Sequence, residues 1–393
     1  MTLTRDLAAQ ERGYIDDQGR REFIRFGVAA FLASLLNAHV ALLSILFAQV
    51  GHSLHATGWL LSLFAVPVIG INLLAGPIAA RIGVLATARL SFLFCILGFG
   101  SLLFTAQDFW GALASRLFHG IGFGLFLPSV MTYGQSRLNQ RRFVGLVIVF
   151  SSLIPFAYAI GPAVGEYSLA HQGREIFFLT ALVPGVIGLV LTMGLRPLAK
   201  PERRGLALSG ALKPRFVLPL AALFVGGTLH AYSLAYLPPD FIARGLSLAL
   251  FFVPSTIATG LSRVSGNMFQ RFQPRFLVSV GVAMMGFGLA AIAVTSHIII
   301  VVLGSILFGL GSSVLYPVVS AWLAQGIEPE KRAGSQAVGS AAFYLGLHGM
   351  PLPLAFLVEP AGYAMTSYFL ACAALIVAGA LLVRGQLVRY EAG

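Results

Sequence analysis

Charge is what this chain lacks. Only 10% of its 393 residues are Asp, Glu, Lys or Arg, against about 25% in a soluble globular domain. So few charges cannot cover the surface of a water-soluble fold of this length, so lipid is the solvent for much of it. Acids are the scarcer sign, 14 against 26 bases. Cysteine is nearly missing. Cys95 and Cys372 each sit inside an apolar stretch and frame no metal or redox motif, so no disulfide, metal site or cofactor is expected. No nucleophile–base pair, metal-ligand cluster or phosphate loop appears, and no soluble signalling domain is attached, which argues against an enzyme or sensor. The first 24 residues are polar and charged, unlike the short apolar core of a cleavable leader; they are expected to remain as a cytosolic tail.

What the chain has instead is apolar length. It is 58% hydrophobic, with a mean hydropathy of +0.87. A spanning helix needs about 20 mostly apolar residues. Twelve such runs are present, at about 26–50, 57–80, 87–106, 109–134, 143–168, 176–196, 216–239, 246–265, 276–296, 298–324, 334–357 and 361–383. The links are short except for 197–215, a basic stretch with three prolines that divides the runs six and six. The expected protein is an all-α integral membrane protein of two pseudo-symmetric six-helix halves. Its parts are an N-terminal tail (1–24), a first half (25–196), a cytosolic linker (197–215), a second half (216–384) and a C-terminal tail (385–393).

The formal charge of +12 is distributed as a topology signal and not as a basic face for nucleic acid. Of the Lys and Arg residues, 23 fall on alternate, same-side segments. Only Arg174 and Arg244 fall on the opposite side, and Arg116 lies inside a run. That asymmetry places both termini in the cytosol, in a multi-pass protein of the plasma or inner membrane.

The halves echo each other. Run 2 ends Gly76-Pro77-Ile78-Ala79-Ala80-Arg81-Ile82-Gly83, and run 8 ends Gly266-Asn267-Met268-Phe269-Gln270-Arg271. Run 5 carries Gly161-Pro162-Ala163-Val164-Gly165, and run 11 carries Gly346-Leu347-His348-Gly349-Met350-Pro351. Glycine and proline at matching places in two halves mark transporters built around a midplane site.

On these residues the chain resembles the major facilitator superfamily over about 25–385. The loop after run 2 keeps Gly76, Ile78, Arg81 and Gly83 of the family's G-x-L-x-D-R-x-G-R pattern, with Ala80 in place of the usual Asp and Val84 in place of the final Arg. Run 4 carries the R-x-x-Q-G pattern as Arg116-Leu117-Phe118-His119-Gly120, with His where Gln is common. Run 5 carries the exporter-associated G-P-x-x-G as Gly161, Pro162 and Gly165. The resemblance implies alternating access by a functional monomer around a central cavity, and run 5 implies the antiport exporter branch. Gly76, Arg81, Gly83, Gly161, Pro162, Gly165 and Arg271 are the residues expected to serve the conformational change. Because Ala80 replaces the Asp, the family's cytosolic charge latch is expected to be absent, or rebuilt from Glu22 or a helix end.

An ionisable side chain at bilayer depth is costly and therefore a functional candidate. No acid falls near the middle of a run. Glu166 is the most interior, but it lies roughly 36 Å along the helix from Arg142, near the outer surface. Histidines lie deeper. His39, His230 and His348 are about 21, 22 and 24 Å from the cytosolic ends of their helices, and His119 about 15 Å from an outer end. Four imidazoles sharing a layer could relay protons, bind an anionic group or a metal chelate, or simply tie helices together. Arg116 sits one turn from His119 on the same helix face. It could pair with Glu166, meet a substrate carboxylate or phosphate, take part in proton coupling as the family pattern implies, or bind backbone carbonyls at a broken helix.

The expected function is secondary active transport: proton-coupled efflux of a small organic compound, anionic or amphipathic. The alternatives are an importer or facilitator of a metabolite on the same fold and, less favoured, a membrane sensor or enzyme on a transporter-like bundle. The expected partners are a small-molecule substrate and the lipid bilayer, with the proton as coupling ion.

Overall fold

The computed structural model describes residues 17–136, 143–200, 214–264, 271–325 and 327–390. Most of the expected N-terminal tail (1–16), most of the linker (201–213) and Gly266 lie outside the described residues. Among those described there are helices and turns and no strand. Fifteen α-helices follow the apolar runs in order. Runs 1 to 6 become α1 (Asp17–Ala38), α2 (Leu43–Gln49), α3 (Leu54–Ser62), α4 (Ala65–Ile82), α5 (Val84–Thr105), α6 (Phe109–Ser136), α7 (Phe143–His171) and α8 (Arg174–Thr192). Runs 7 to 12 become α9 (Val217–Ala235), α10 (Leu237–Ala243), α11 (Ala249–Val264), α12 (Pro274–Val294), α13 (Ile298–Ala324), α14 (Pro329–Tyr344) and α15 (Pro351–Tyr390).

Nine described segments are long and apolar enough to cross a membrane. One of them, Gly334–Val383, carries two runs. The helix breaks at Gly362, whose φ of 76° favours glycine. The runs at 143–168 and 246–265 correspond to α7 and α11, which border residues outside the description. Two boundaries differ from the sequence expectation. Helix begins at Asp17, inside the expected tail, and α15 continues to Tyr390.

Four runs are interrupted, and local chemistry accounts for each break. Between α3 and α4, Pro67 has no N–H to donate to Leu63 four residues back. Pro238 and Pro351 likewise free acceptors next to the breaks at Tyr236 and at Leu345–Gly349, the latter a π turn. Between α1 and α2 runs a 3₁₀ turn, His39–Leu42. There the His39 ring takes the carbonyl of Leu35, four residues back, at 2.8 Å, and competes with the regular helix ladder.

The first six runs meet the last six along α7–α11, α3–α15, α4–α14 and α2–α10. Several polar contacts across this seam lie at the end of the bundle away from the termini. Ser62 Oγ donates to the Gly349 carbonyl at 3.1 Å and accepts from the Leu352 amide at 2.7 Å. It thereby binds backbone groups beside the π turn. Glu166 meets the start of α11, and His55 lies 3.3 Å from Glu359. Between these contacts and the opposite end lies a central cavity.

Candidate functional site

The cavity has a volume of about 50 Å³ and draws its walls from both halves. The first half contributes Asn37 from α1, Phe64 from the α3–α4 break, Arg116 and Phe123 from α6, and Tyr158 from α7. The second contributes one face of α9, from Ala231 to Ala235, and Leu347, His348 and Pro351 at the π turn.

Arg116 is 1% exposed. Its guanidinium carbon lies 4.0 Å from the centre of the Phe64 ring, a cation–π contact. Nε reaches the Leu60 carbonyl at 3.4 Å, a long hydrogen bond. Nη1 lies 2.9 Å from His119 Nδ1. Arginine only donates, so Nδ1 is the acceptor and the neutral ring carries its proton on Nε2. Nε2 then donates to Asn37 Oδ1 at 2.9 Å, and Asn37 Nδ2 donates to the Ala33 carbonyl at 3.0 Å. This chain of donors fixes the imidazole tautomer and the amide orientation together. No described carboxylate lies within ion-pairing distance of Arg116, and its Nη2 makes no hydrogen bond to a described residue.

His348 packs its ring against Phe64 and Phe123, with centroids 4.8 and 5.4 Å away, and stacks on Tyr344. Its Nε2 is sealed from solvent and has no hydrogen-bond partner. The structure thus gathers Arg116, Asn37 and His348 around one cavity, with His119 fully buried behind the lining and bonded to both Arg116 and Asn37.

It does not gather the other expected site residues. Glu166 is not the partner of Arg116. Its carboxylate accepts from Ser247 Oγ at 2.9 Å and from the Leu248 amide at 3.0 Å, which places a negative charge at the N-terminus of α11. His39 is turned away from the cavity. Its Nδ1 meets the Leu35 carbonyl, its Nε2 lies 3.2 Å from Thr180 Oγ1, and its ring packs beside Phe99 and Phe177. His230 meets the Gly226 carbonyl at 2.9 Å and packs against Phe308 and Phe343, outside the cavity lining. The expected four-histidine layer therefore divides into one imidazole in the cavity wall, His348, one bonded behind it to Arg116 and Asn37, His119, and two tied into helix packing.

The residues expected to serve conformational change fall in three settings. Gly161 and Gly165 bring α7 against the first run. A Cβ at Gly161 would lie 2.6 Å from Ala38 Cβ, and one at Gly165 would lie 3.0 Å from His39 Cδ2. Pro162 stands between them inside α7. At the end near the termini, Gly83 has φ 93° between α4 and α5, Gly76 faces open space, and Arg81 is exposed with its carbonyl 2.7 Å from Lys200 Nζ. Arg271 is exposed before α12. Glu22 pairs with Arg196 at 3.4 Å, and Arg89 caps the end of α8 through the Thr192 carbonyl at 2.6 Å. Glu22, Arg89 and Arg196 therefore tie segments of the first half to one another.

Asn37 is one of several polar residues inside apolar runs, with nothing in the sequence to single it out, and Ser62 carries no signal at all. Nothing in the sequence pairs a serine of run 2 with a backbone break in run 11.

The profile of the Major Facilitator Superfamily matches residues 26–346. The methylenomycin A resistance protein of Streptomyces coelicolor (strain ATCC BAA-471 / A3(2) / M145) is 28% identical over 200 residues, 47% of this chain and 39% of that protein. The match therefore spans about two fifths of that relative's length. A POT family transporter solved in complex with 5-aminolevulinic acid has a TM-score of 0.78 at 16% identity, covering 92% of this chain and 96% of that one. A D-xylose-proton symporter gives 0.72 at 16%, covering 91% and 96%. The nucleoside transporter NupG gives 0.72 at 14%, covering 92% and 98%. At these identities the likeness is one of fold. With the profile covering most of its length and its helices closing around a central cavity, this chain belongs to the Major Facilitator Superfamily, as a multi-pass membrane transporter and not an enzyme.

Proposed function

We propose that the protein exports a small organic compound in exchange for protons, by alternating exposure of the central cavity. The observation that carries this reading is the cavity itself: a buried arginine, held by neutral partners only, facing a space shared by both halves. A cation in so poorly solvated a place is costly to keep, and no described carboxylate offsets its charge. The exporter direction draws support from Gly161, Pro162 and Gly165, and from the name of the resistance protein related to part of the chain.

His119 is the group to which we assign the coupling proton. Its Nδ1 can accept from Arg116 or carry a proton, but not both at once. A proton at His119 and a correctly placed Arg116 therefore exclude one another, and such mutual exclusion is what exchange requires. His39 and His230, with ring nitrogens committed to backbone carbonyls, are given no part in coupling.

The test is solute-induced proton flux in proteoliposomes holding the full chain under an imposed pH gradient. A panel of organic anions, cations and neutral compounds is scanned. A solute that dissipates the gradient while moving against the proton supports exchange. Solute movement without proton flux, or in the same direction as the proton, overturns it in favour of a facilitator or an importer.

A further inference from the structure

We propose that the cavity binds the carboxylate of a small amphipathic monoanion, gripped between Arg116 on α6 and His348 at the turn before α15. This rests on the reading of the cavity as the transport site and names what that site selects.

Charge comes first. The lining holds one cation and no acid. The described acids that might have neutralised Arg116 are engaged elsewhere: Glu166 at α11, Asp240 with Arg244 at 2.9 Å, Glu22 with Arg196, and Glu359 with His55. A guanidinium in a low-dielectric site is stabilised by one anionic charge. A second negative charge on the same ligand would remain without a partner.

Donor geometry comes second. Arg116 commits Nε and Nη1 to the protein and leaves Nη2 without a described partner. His348 has no hydrogen bond from either ring nitrogen to a described residue, and its buried Nε2 is an orphan. Nε2 is closed off even from the cavity, so Nδ1, which is not among the sealed atoms, is the ring nitrogen left for a ligand atom. Phe64 brings the two together, with the guanidinium 4.0 Å from its ring centre and the imidazole 4.8 Å from it. Tyr158, also in the lining, makes no hydrogen bond to a described residue and offers a third donor.

Shape comes third. A space of about 50 Å³ holds a carboxylate headgroup, and the body of the ligand enters only as the alternating cavity widens. The walls around the donors are Phe64, Phe123, Leu61 and Leu347, which suit a flat apolar body. Because Arg116 and His348 belong to different halves, a ligand bound by both joins them in the closed arrangement.

The experiment measures saturable thermal stabilisation of the purified full chain in detergent by four matched probes: benzoate, benzamide, benzamidine and phenyl phosphate. Benzoate is expected to stabilise it, while the neutral, cationic and dianionic probes do so at least about ten-fold more weakly. His348→Leu, which removes the ring donor, is expected to weaken benzoate about ten-fold, the loss of one charge-assisted hydrogen bond. Arg116→Lys, which keeps the charge but loses the fork, weakens it as much or more. Absence of benzoate stabilisation, equal stabilisation by benzamide or benzamidine, or a benzoate response indifferent to His348→Leu would each overturn the proposal. If phenyl phosphate binds tightest, the site is one for dianions and the monoanion assignment fails. Failure here leaves the exporter reading standing wherever a neutral or cationic solute drives proton flux in the vesicle assay. Conversely, benzoate binding without proton flux keeps this site and removes the exchange.

Discussion

α6 and α13 hold the same place, fourth of six, in the first and second halves, yet their polar chemistry differs. α6 carries Arg116 and His119 and extends a chain of donors across to Asn37 on α1. α13 carries Ser305, Ser312 and Ser313, which donate to carbonyls three or four residues back at 2.7, 3.0 and 2.6 Å. Its link to α11 is made by hydroxyls too: Ser262 to Ser313 at 2.7 Å, and Thr259 to the Gly309 carbonyl at 3.0 Å. One half holds charge; the other holds short hydroxyls that satisfy backbone. A repeated fold thus frames a cavity with asymmetric chemistry, in which the second half contributes a single ring, His348.

The strongest break in this comparison comes from Arg116→Ala. Transport is expected to fall at least about a hundred-fold, since a charge-assisted interaction at the reacting site is lost outright. The protein stays folded, as gel filtration and thermal unfolding would report. Substantial residual transport would remove Arg116 from the mechanism and the asymmetry with it.

His119 separates chemistry from scaffolding. His119→Leu strands the Arg116 Nη1 donor and the Asn37 Oδ1 acceptor and is expected to cost about 2–3 kcal/mol by thermal unfolding. His119→Gln can accept from Arg116 and donate to Asn37 without titrating. It is expected to keep substrate binding while removing the pH dependence of transport. A pH profile unchanged by the glutamine would refute the coupling role.

Glycine contacts compare the halves at matched places. Gly161 on α7 faces Ala38, and Gly346 faces the Phe224 carbonyl on α9. A methyl added at Gly346 would press on backbone, whereas one at Gly161 presses chiefly on a side chain. Gly346→Ala is therefore expected to cost about 3 kcal/mol and Gly161→Ala about 1–2. Melting temperatures in detergent that rank them the other way would show that the two seams are not equivalent. The smallest effect belongs to Thr259→Val, about 1 kcal/mol for one hydroxyl that already has a local acceptor, with transport intact. A transport defect there would mean that the second half's hydroxyls are more than scaffold.

The order and extent of the helices were legible because hydrophobic length is a one-dimensional property. So was the alliance of Arg116 with His119, since a spacing of three places both on one helix face. What misled was depth. Counting rise from a helix end gave His39 and His230 a depth but no direction around the helix, and both rings point into packing. The same arithmetic put Glu166 near the outer surface but could not tell that its carboxylate belongs to α11 across the seam and not to Arg116. The breaks at His39–Leu42 and Leu345–Gly349 depend on side chains and prolines competing with the helix ladder, and on partners such as Ser62 that are distant in sequence. Composition carries no trace of those partners.

The lone positive charge of Arg116 has an electrical consequence. On the proposed cycle a monoanion leaves as a proton enters, so each turn moves two elementary charges in the same electrical sense. At about 2.3 kcal/mol per charge per 100 mV, an interior-negative potential of that size supplies roughly 4.6 kcal/mol per cycle. That sustains a solute gradient of more than about a thousand-fold. Export would then proceed in a cell whose pH gradient has vanished, and would halt when the membrane is depolarised as well.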